Sequence, residues 1–193
     1  MFIRNELFTI TIVLLLVLVI GAVTLIQAKA PSEEEKENIA QVLKKALVLA
    51  EDVYRNAKLH YKNGTPPENK AAIIENGKKA LYEFFADDLA QRLSKTVVEN
   101  QFESTVTGPD LIDFGVTNVE LKDLSISGDK AYVTAILDKY LVERITRDGK
   151  NYIDRMEGKV TVKATLVKVD GKWKISEFTA QPDLNPEHII QPE

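Results

Sequence analysis

Ala131-Tyr-Val-Thr-Ala-Ile-Leu-Asp-Lys-Tyr-Leu141 and Met156-Glu-Gly-Lys-Val-Thr-Val-Lys-Ala-Thr-Leu166, with Asp148-Gly149 between them, decide the fold of this chain. Both stretches alternate apolar with polar residues and favour β-branched and aromatic types, the signature of half-buried strands. Asp-Gly suits a type I′ turn, whose twist matches that of the strands it joins. With Asp148-Gly149 as a two-residue loop, Arg147 faces Lys150 and all paired residue numbers sum to 297. Ala131, Val133, Ala135, Leu137 and Leu141 then stand opposite Leu166, Ala164, Val162, Val160 and Met156, so all these apolar side chains share one face. The other face sets Asp138 against Lys159, an opposite-charge pair that supports the same register.

Alternation extends from Val116 to Phe178, and Asp170-Gly171 marks a second hairpin. Ser127-Gly128-Asp129 joins an earlier strand without fixing its register, and Gln101 to Gly115, with Gly108-Pro109-Asp110, reads as a loop. Upstream the period is helical. Ser32 and Glu35 form a capping box, in which each side chain satisfies a free amide of the other. Ile39, Val42, Leu43, Ala46, Leu47, Ala50, Val53, Tyr54, Ala57 and Tyr61 then line one stripe of a long amphipathic helix. Asn63-Gly64-Thr65-Pro66-Pro67 ends it, and this sequon-like run is read as a turn. Ala71 to Phe85 predicts one or two short helices interrupted near Asn76-Gly77. Asp87 or Asp88 caps another through Leu89, Leu93 and Val97. The Pro-containing tail, residues 181–193, is expected as an extended surface strap or a disordered end.

Phe8 to Ile26 is a run of nineteen residues without a charge. As a helix it is about 28 Å long, close to the ~30 Å hydrocarbon thickness of a bilayer. Residues 1–30 are therefore expected to be a transmembrane anchor. A signal peptide is the alternative, because Ala28-Lys29-Ala30 fits a cleavage pattern, but the apolar run is long for one and Pro31 would follow the cut. Arg4 and the amino terminus favour a cytoplasmic N-terminus, which places the following domain outside the cytoplasm in a single-pass cell-membrane protein.

The remaining 163 residues suit one domain with a full core. The chain carries net charge −4, without the basic concentration of a nucleic-acid-binding module. It has no cysteine, which excludes disulfides, thiolate catalysis and cysteine–zinc sites, and only two histidines, His60 and His188. Phosphate-loop, nucleophile-elbow, zincin and EF-hand patterns are absent, and no cofactor is expected.

The register produces one anomaly. Glu143 falls opposite Asp154 on the apolar face, flanked by Ile145 with Tyr152 and by Leu141 with Met156. Opposed carboxylates repel, and a shared desolvated site raises one pKa. One reading is an acid/base or cation-binding dyad; the other is a solvated overhang, or contact with Arg144, Arg147 or Arg155. His60 either points into the concavity or serves the helix C-terminus. Trp173, Ile175 and Phe178 are assigned to the core. The outward face gathers Tyr132, Ile136, Tyr140, Val142 and Ile153, a candidate interaction surface unless the tail covers it.

Helices followed by an antiparallel meander describe an α+β domain whose sheet curls round the long helix. The long first helix, Leu81-Tyr-Glu-Phe-Phe-Ala-Asp-Asp-Leu-Ala90 and Val169-Asp-Gly-Lys-Trp-Lys-Ile-Ser-Glu-Phe178 resemble the NTF2-like, or cystatin-like, superfamily over residues 31–180. That resemblance implies a cone-shaped fold and leaves function open. A single span before such a domain is similar to the VirB8-like components of bacterial secretion and conjugation, which implies a non-enzymatic scaffold with a protein partner or a homo-oligomer. The alternative is a small-ligand-binding domain or cone-pocket enzyme using Glu143, Asp154, Tyr152 and His60.

Overall fold

The computed structural model describes residues 30–60, 68–100, 110–183 and 186–193. The expected span at residues 8–26, Tyr61, the turn at 63–67 and the loop at 101–109 lie outside the described residues. Among the described residues, no helix is long and apolar enough to cross a membrane.

Pro31–Glu193 is one compact α+β unit. Among the described residues, three α-helices, α1 (Glu33–His60), α2 (Lys70–Phe84) and α3 (Asp87–Leu93), precede a π-helical segment, Ser94–Glu99. Five strands follow: β1 (Asp110–Ser127), β2 (Lys130–Arg147), β3 (Lys150–Val169), β4 (Lys172–Pro182) and β5 (Glu187–Pro192). The antiparallel sheet runs β1-β2-β3-β4, and β5 pairs with β3 beyond the end of β4.

The β2–β3 hairpin has the predicted register from Lys130↔Val167 to Arg147↔Lys150. Its turn is the expected one, with positive φ at Asp148 (52°) and Gly149 (73°), as type I′ requires. Asp170 and Gly171 repeat that geometry. At Gly128-Asp129 only the glycine has positive φ, which fits a type II′ turn. Of the paired apolar residues, Leu141 and Met156 are half-buried and the other eight are buried.

β1 departs from simple alternation. Its pairing with β2 shifts at Ile112, Thr117 and Lys122, one extra residue every fifth position. Each bulge bends the strand and tightens its twist, and each restores the inward face after a three-residue step. Leu111, Phe114, Val116, Val119, Leu121, Leu124 and Ile126 consequently all pair with inward positions of β2. The strand begins at Asp110, so the expected loop ending at Gly115 is corrected for residues 110–115. The bulges curl the sheet.

α1 lays its stripe against this sheet. Ile39 and Leu43 are fully buried, and Ala46, Leu49, Val53, Tyr54 and Ala57 continue the stripe. The capping box forms: the Glu35 amide donates to Ser32 Oγ (3.2 Å), and the Ser32 amide donates to Glu35 Oε2 (3.3 Å). Lys168 Nζ also donates to Glu35 (3.2 Å), tying the start of α1 to β3. Those hydrogen bonds, from the Ser32 backbone first and then from Lys168, lower the Glu35 pKa.

α2 is a single uninterrupted helix, contrary to the break expected near Asn76-Gly77. Gly77 is buried there, and a Cβ on it would meet Val98 Cγ1 at 2.9 Å and Val53 Cγ2 at 3.4 Å. The glycine permits close helix packing. After α2, the Ala86 amide donates to the Ile175 carbonyl (2.8 Å), and Phe85 meets Phe178 edge to face at 6.0 Å. Trp173 and Ile175 are buried and Phe178 is half-buried against the core.

Candidate functional site

Along the concave face polar residues enter the apolar rows from Lys139 onward, Lys139 and Glu143 alternating with Leu141 and Ile145. Lys139 ion-pairs with Glu51 of α1 and donates to the Leu47 carbonyl (3.4 Å), while Glu51 Oε2 is buried without a hydrogen-bond partner. Four positions further along β2, Glu143 stands opposite Asp154.

Asp154 is only 5% exposed. Burying a carboxylate requires a compensating partner, and β5 supplies one. β5 pairs Met156↔His188 and Asp154↔Ile190, which brings the imidazole diagonally to the carboxylate. His188 Nδ1 lies 3.1 and 3.2 Å from the two Asp154 oxygens. An ionised carboxylate only accepts, so Nδ1–H is the donor in that state. The His188 side chain is 46% exposed and reaches solvent while its Nδ1 edge meets the buried acid.

Glu143 has a raised pKa, first because burial penalises its charge and then because Asp154 repels it. Tyr54, buried on α1, has its hydroxyl pushed up by burial, then by the charges of Glu143 and Asp110. Tyr152 is half-buried on the same face as Asp154, opposite Ile145 and Pro192. His60 ends α1, and its side chain lies outside the described residues. The structure thus brings Glu143 and Asp154 together, sets Tyr152 beside them, and adds Tyr54 and His188.

Two of the three arginines considered as partners, Arg144 and Arg155, are committed elsewhere. Arg144 makes a fork with Glu193 (2.6–2.9 Å) and approaches Asp110 at 3.6 Å. Arg155 pairs with Glu157 and stacks over Tyr140 at 4.5 Å. A solvated overhang is corrected for Asp154: β5 covers it. The sequence points to His60 here and not to His188 or the tail, because an Ile189-Ile190 pair between Pro186 and Pro192 is a weak strand signal. Chemically, the cluster can hold or move a proton. Among the described residues, no three His, Asp or Glu side chains are placed to hold a metal ion.

The outward face is partly occupied by its own residues. Tyr140 lies over Gly115, where a Cβ would meet its ring at 2.9 Å, and its hydroxyl donates to Asp113 (3.2 Å). Ile136, Val142 and Ile153 are half-buried, and Tyr132 is exposed beside Lys130. The tail does not lie across this face, since β5 extends the sheet in plane at the edge of β3. A separate cleft of about 760 Å³ opens between α1, the end of α2 and the β3–β4 turn, lined by Lys45, Tyr82, Phe84, Lys172 and Trp173 among others.

No family model matches the chain, and no curated protein matches its sequence. Among solved structures it is similar to the intermembrane space region of the chloroplast protein ARC6, at 14% identity, a TM-score of 0.39, and coverage of 72% of this chain and 97% of that one.

Proposed function

We propose that this chain is a membrane-anchored, extracytoplasmic interaction module of the NTF2-like kind, a non-enzymatic scaffold in a bacterial envelope assembly of the VirB8-like type. The observation that carries the reading is the uncharged run Phe8–Ile26, set immediately before one compact α+β unit. The concave side supports it: Ile39, Leu43, Leu137, Val162 and Leu166 fill the space between α1 and the sheet. Partner binding is assigned to the outward face around Tyr132, Ile136, Val142 and Ile153.

Membrane fractionation of the full chain, with alkaline extraction and N-terminal sequencing, tests the anchor. The expected result is a chain that stays in the membrane pellet and retains residues 8–26. A product beginning at Pro31, or release by alkali, refutes it.

A second reading, a proton-handling or small-ligand site at Glu143 and Asp154, is favoured by the His188 contact to buried Asp154. NMR titration of both carboxyls, with and without small organic acids, separates the two. Shifts confined to these residues and Tyr152 on adding the acid favour the second.

A further inference from the structure

We propose that β5 is a self-association edge, at which two copies of the chain join their sheets by antiparallel pairing centred on Ile189. The sheet's other edges are partly guarded. β1 carries bulges at Ile112, Thr117 and Lys122, which twist an edge away from foreign strands. β4 is engaged at Ile175 by the Ala86 amide. β5 has neither protection. Among the described residues its neighbour is β3, and every residue from Glu187 to Pro192 is exposed. Ile189 and Ile190 are 39% and 40% exposed, and Glu187 is the one acidic residue in the strand.

The hydrogen-bond parity of β5 fixes which groups are free. The Glu193 amide donates to the Asn151 carbonyl (3.2 Å), so in an antiparallel ladder the backbone of Gln191, Ile189 and Glu187 also points toward β3. His188, Ile190 and Pro192 then direct their backbone groups outward. Pro192, which has no amide to offer, stands on the open side, where an edge strand tolerates proline.

A twofold axis perpendicular to the sheet keeps equivalent faces together, so paired residue numbers must have an even sum. Centring the axis on Ile189 sets His188 opposite Ile190 of the second copy, and each pair exchanges both hydrogen bonds. Four new bonds form from the four free His188 and Ile190 amides of the two copies. Ile189 meets its own copy across the axis, and Glu187 meets Gln191. No like charges are opposed. Centring on Ile190 instead sets His188 against Pro192, which lacks a donor, and Glu187 against Glu193. Of these two registers, the first is the one the edge favours.

The chain has no cysteine, so a single introduced thiol reports its own twofold contact. In the Ile189 register the two Cα atoms form a non-hydrogen-bonded pair about 4.5 Å apart, within the ~4.4–6.8 Å that a disulfide bridges. Full-length Ile189→Cys, in membranes treated with a copper–phenanthroline oxidant, should become mostly a disulfide-linked dimer. Ile190→Cys and the outward-facing Lys163→Cys should link at least tenfold less. Adding Ile190→Pro to Ile189→Cys removes an amide that serves only the second copy, and should cut the cross-link about tenfold while thermal melting is retained. Cross-linking of Ile189→Cys no greater than that of Lys163→Cys, or equal linking at positions 189 and 190, overturns the proposal.

Discussion

Replacing Glu143 with Gln and Asp154 with Ala should move stability in opposite directions, although the two carboxylates face each other. Directly opposed like charges cost ~0.2–1 kcal/mol, and Glu143 is half-buried, so its neutralisation should return about 0.5 kcal/mol. Asp154 also stands in that repulsion but holds His188. A hydrogen bond to a charged group contributes ~1.5–3 kcal/mol, and solvent at the half-exposed imidazole reduces this to about 1.5 kcal/mol. Subtracting the relieved repulsion leaves Asp154→Ala less stable by roughly 1 kcal/mol. For a domain of this size, these values correspond to about +1–2 °C for Glu143→Gln and about −2 to −4 °C for Asp154→Ala. The double variant should fall short of the sum of the single changes by roughly 0.5 kcal/mol, because both singles relieve the same repulsion. The Glu143 effect has a defined pH sense. Its folded pKa lies above the ordinary 4.5, so the stabilisation from its proton is complete below 4.5 and lost as pH rises through the folded value. The gain in Glu143→Gln should accordingly appear at neutral pH and vanish well below pH 4.5. Thermal melting of the full chain in mild detergent, followed by circular dichroism, measures all of this. Equal gains from both substitutions would refute the argument, since they would make the carboxylates solvated neighbours with no supporting histidine.

Gly77→Ala should destabilise the fold by about 1 kcal/mol, because ~1 kcal/mol of helix propensity is outweighed by ~1–3 kcal/mol of overpacking against buried Val98 and Val53. Urea unfolding checks it, and a net gain would mean that the helix does not pass so close. On the outward face, Ile136→Lys combined with Val142→Glu should leave melting within about 0.5 kcal/mol of the parent chain. It should also abolish adducts formed in native membranes by a photo-crosslinking residue at Tyr132. Adducts that persist count against that face.

The β2–β3 hairpin was legible because three local signals agree: the Asp148-Gly149 turn, the apolar row on one face and the Asp138–Lys159 pair on the other. β1 was only partly legible. Its inward residues recur at steps of three and two, from Leu111 to Ile126, a pattern that matches neither strand nor helix period once bulges enter. Gly77 misled for a different reason. Asn-Gly is a turn signal in isolation, but tertiary packing against Val98 overrides it. The opposition of Glu143 and Asp154 followed from the register alone, whereas its outcome did not: burial of Asp154 depends on a histidine thirty-four residues later.

That dependence makes β5 the element that decides the character of the concave end. Leu137 and Val160 are the last fully or nearly fully buried pair of the apolar row, and beyond them the sheet carries Lys139, Glu143 and Asp154 inward. Lys139 is satisfied from α1 through Glu51. Asp154 has its partner from the tail, and the Arg144–Glu193 fork holds the far end of the same strand. One edge of β5 thus assembles the acid–imidazole contact, while the other edge offers unpaired backbone. A second copy bound at the outer edge would hold in place the strand that carries His188. In the proposed dimer, self-association and the inner contact of Asp154 share a single strand, and paired substitutions at positions 154 and 190 probe them: Asp154→Ala removes the carboxylate that His188 meets, and Ile190→Pro removes the amide offered to the second copy.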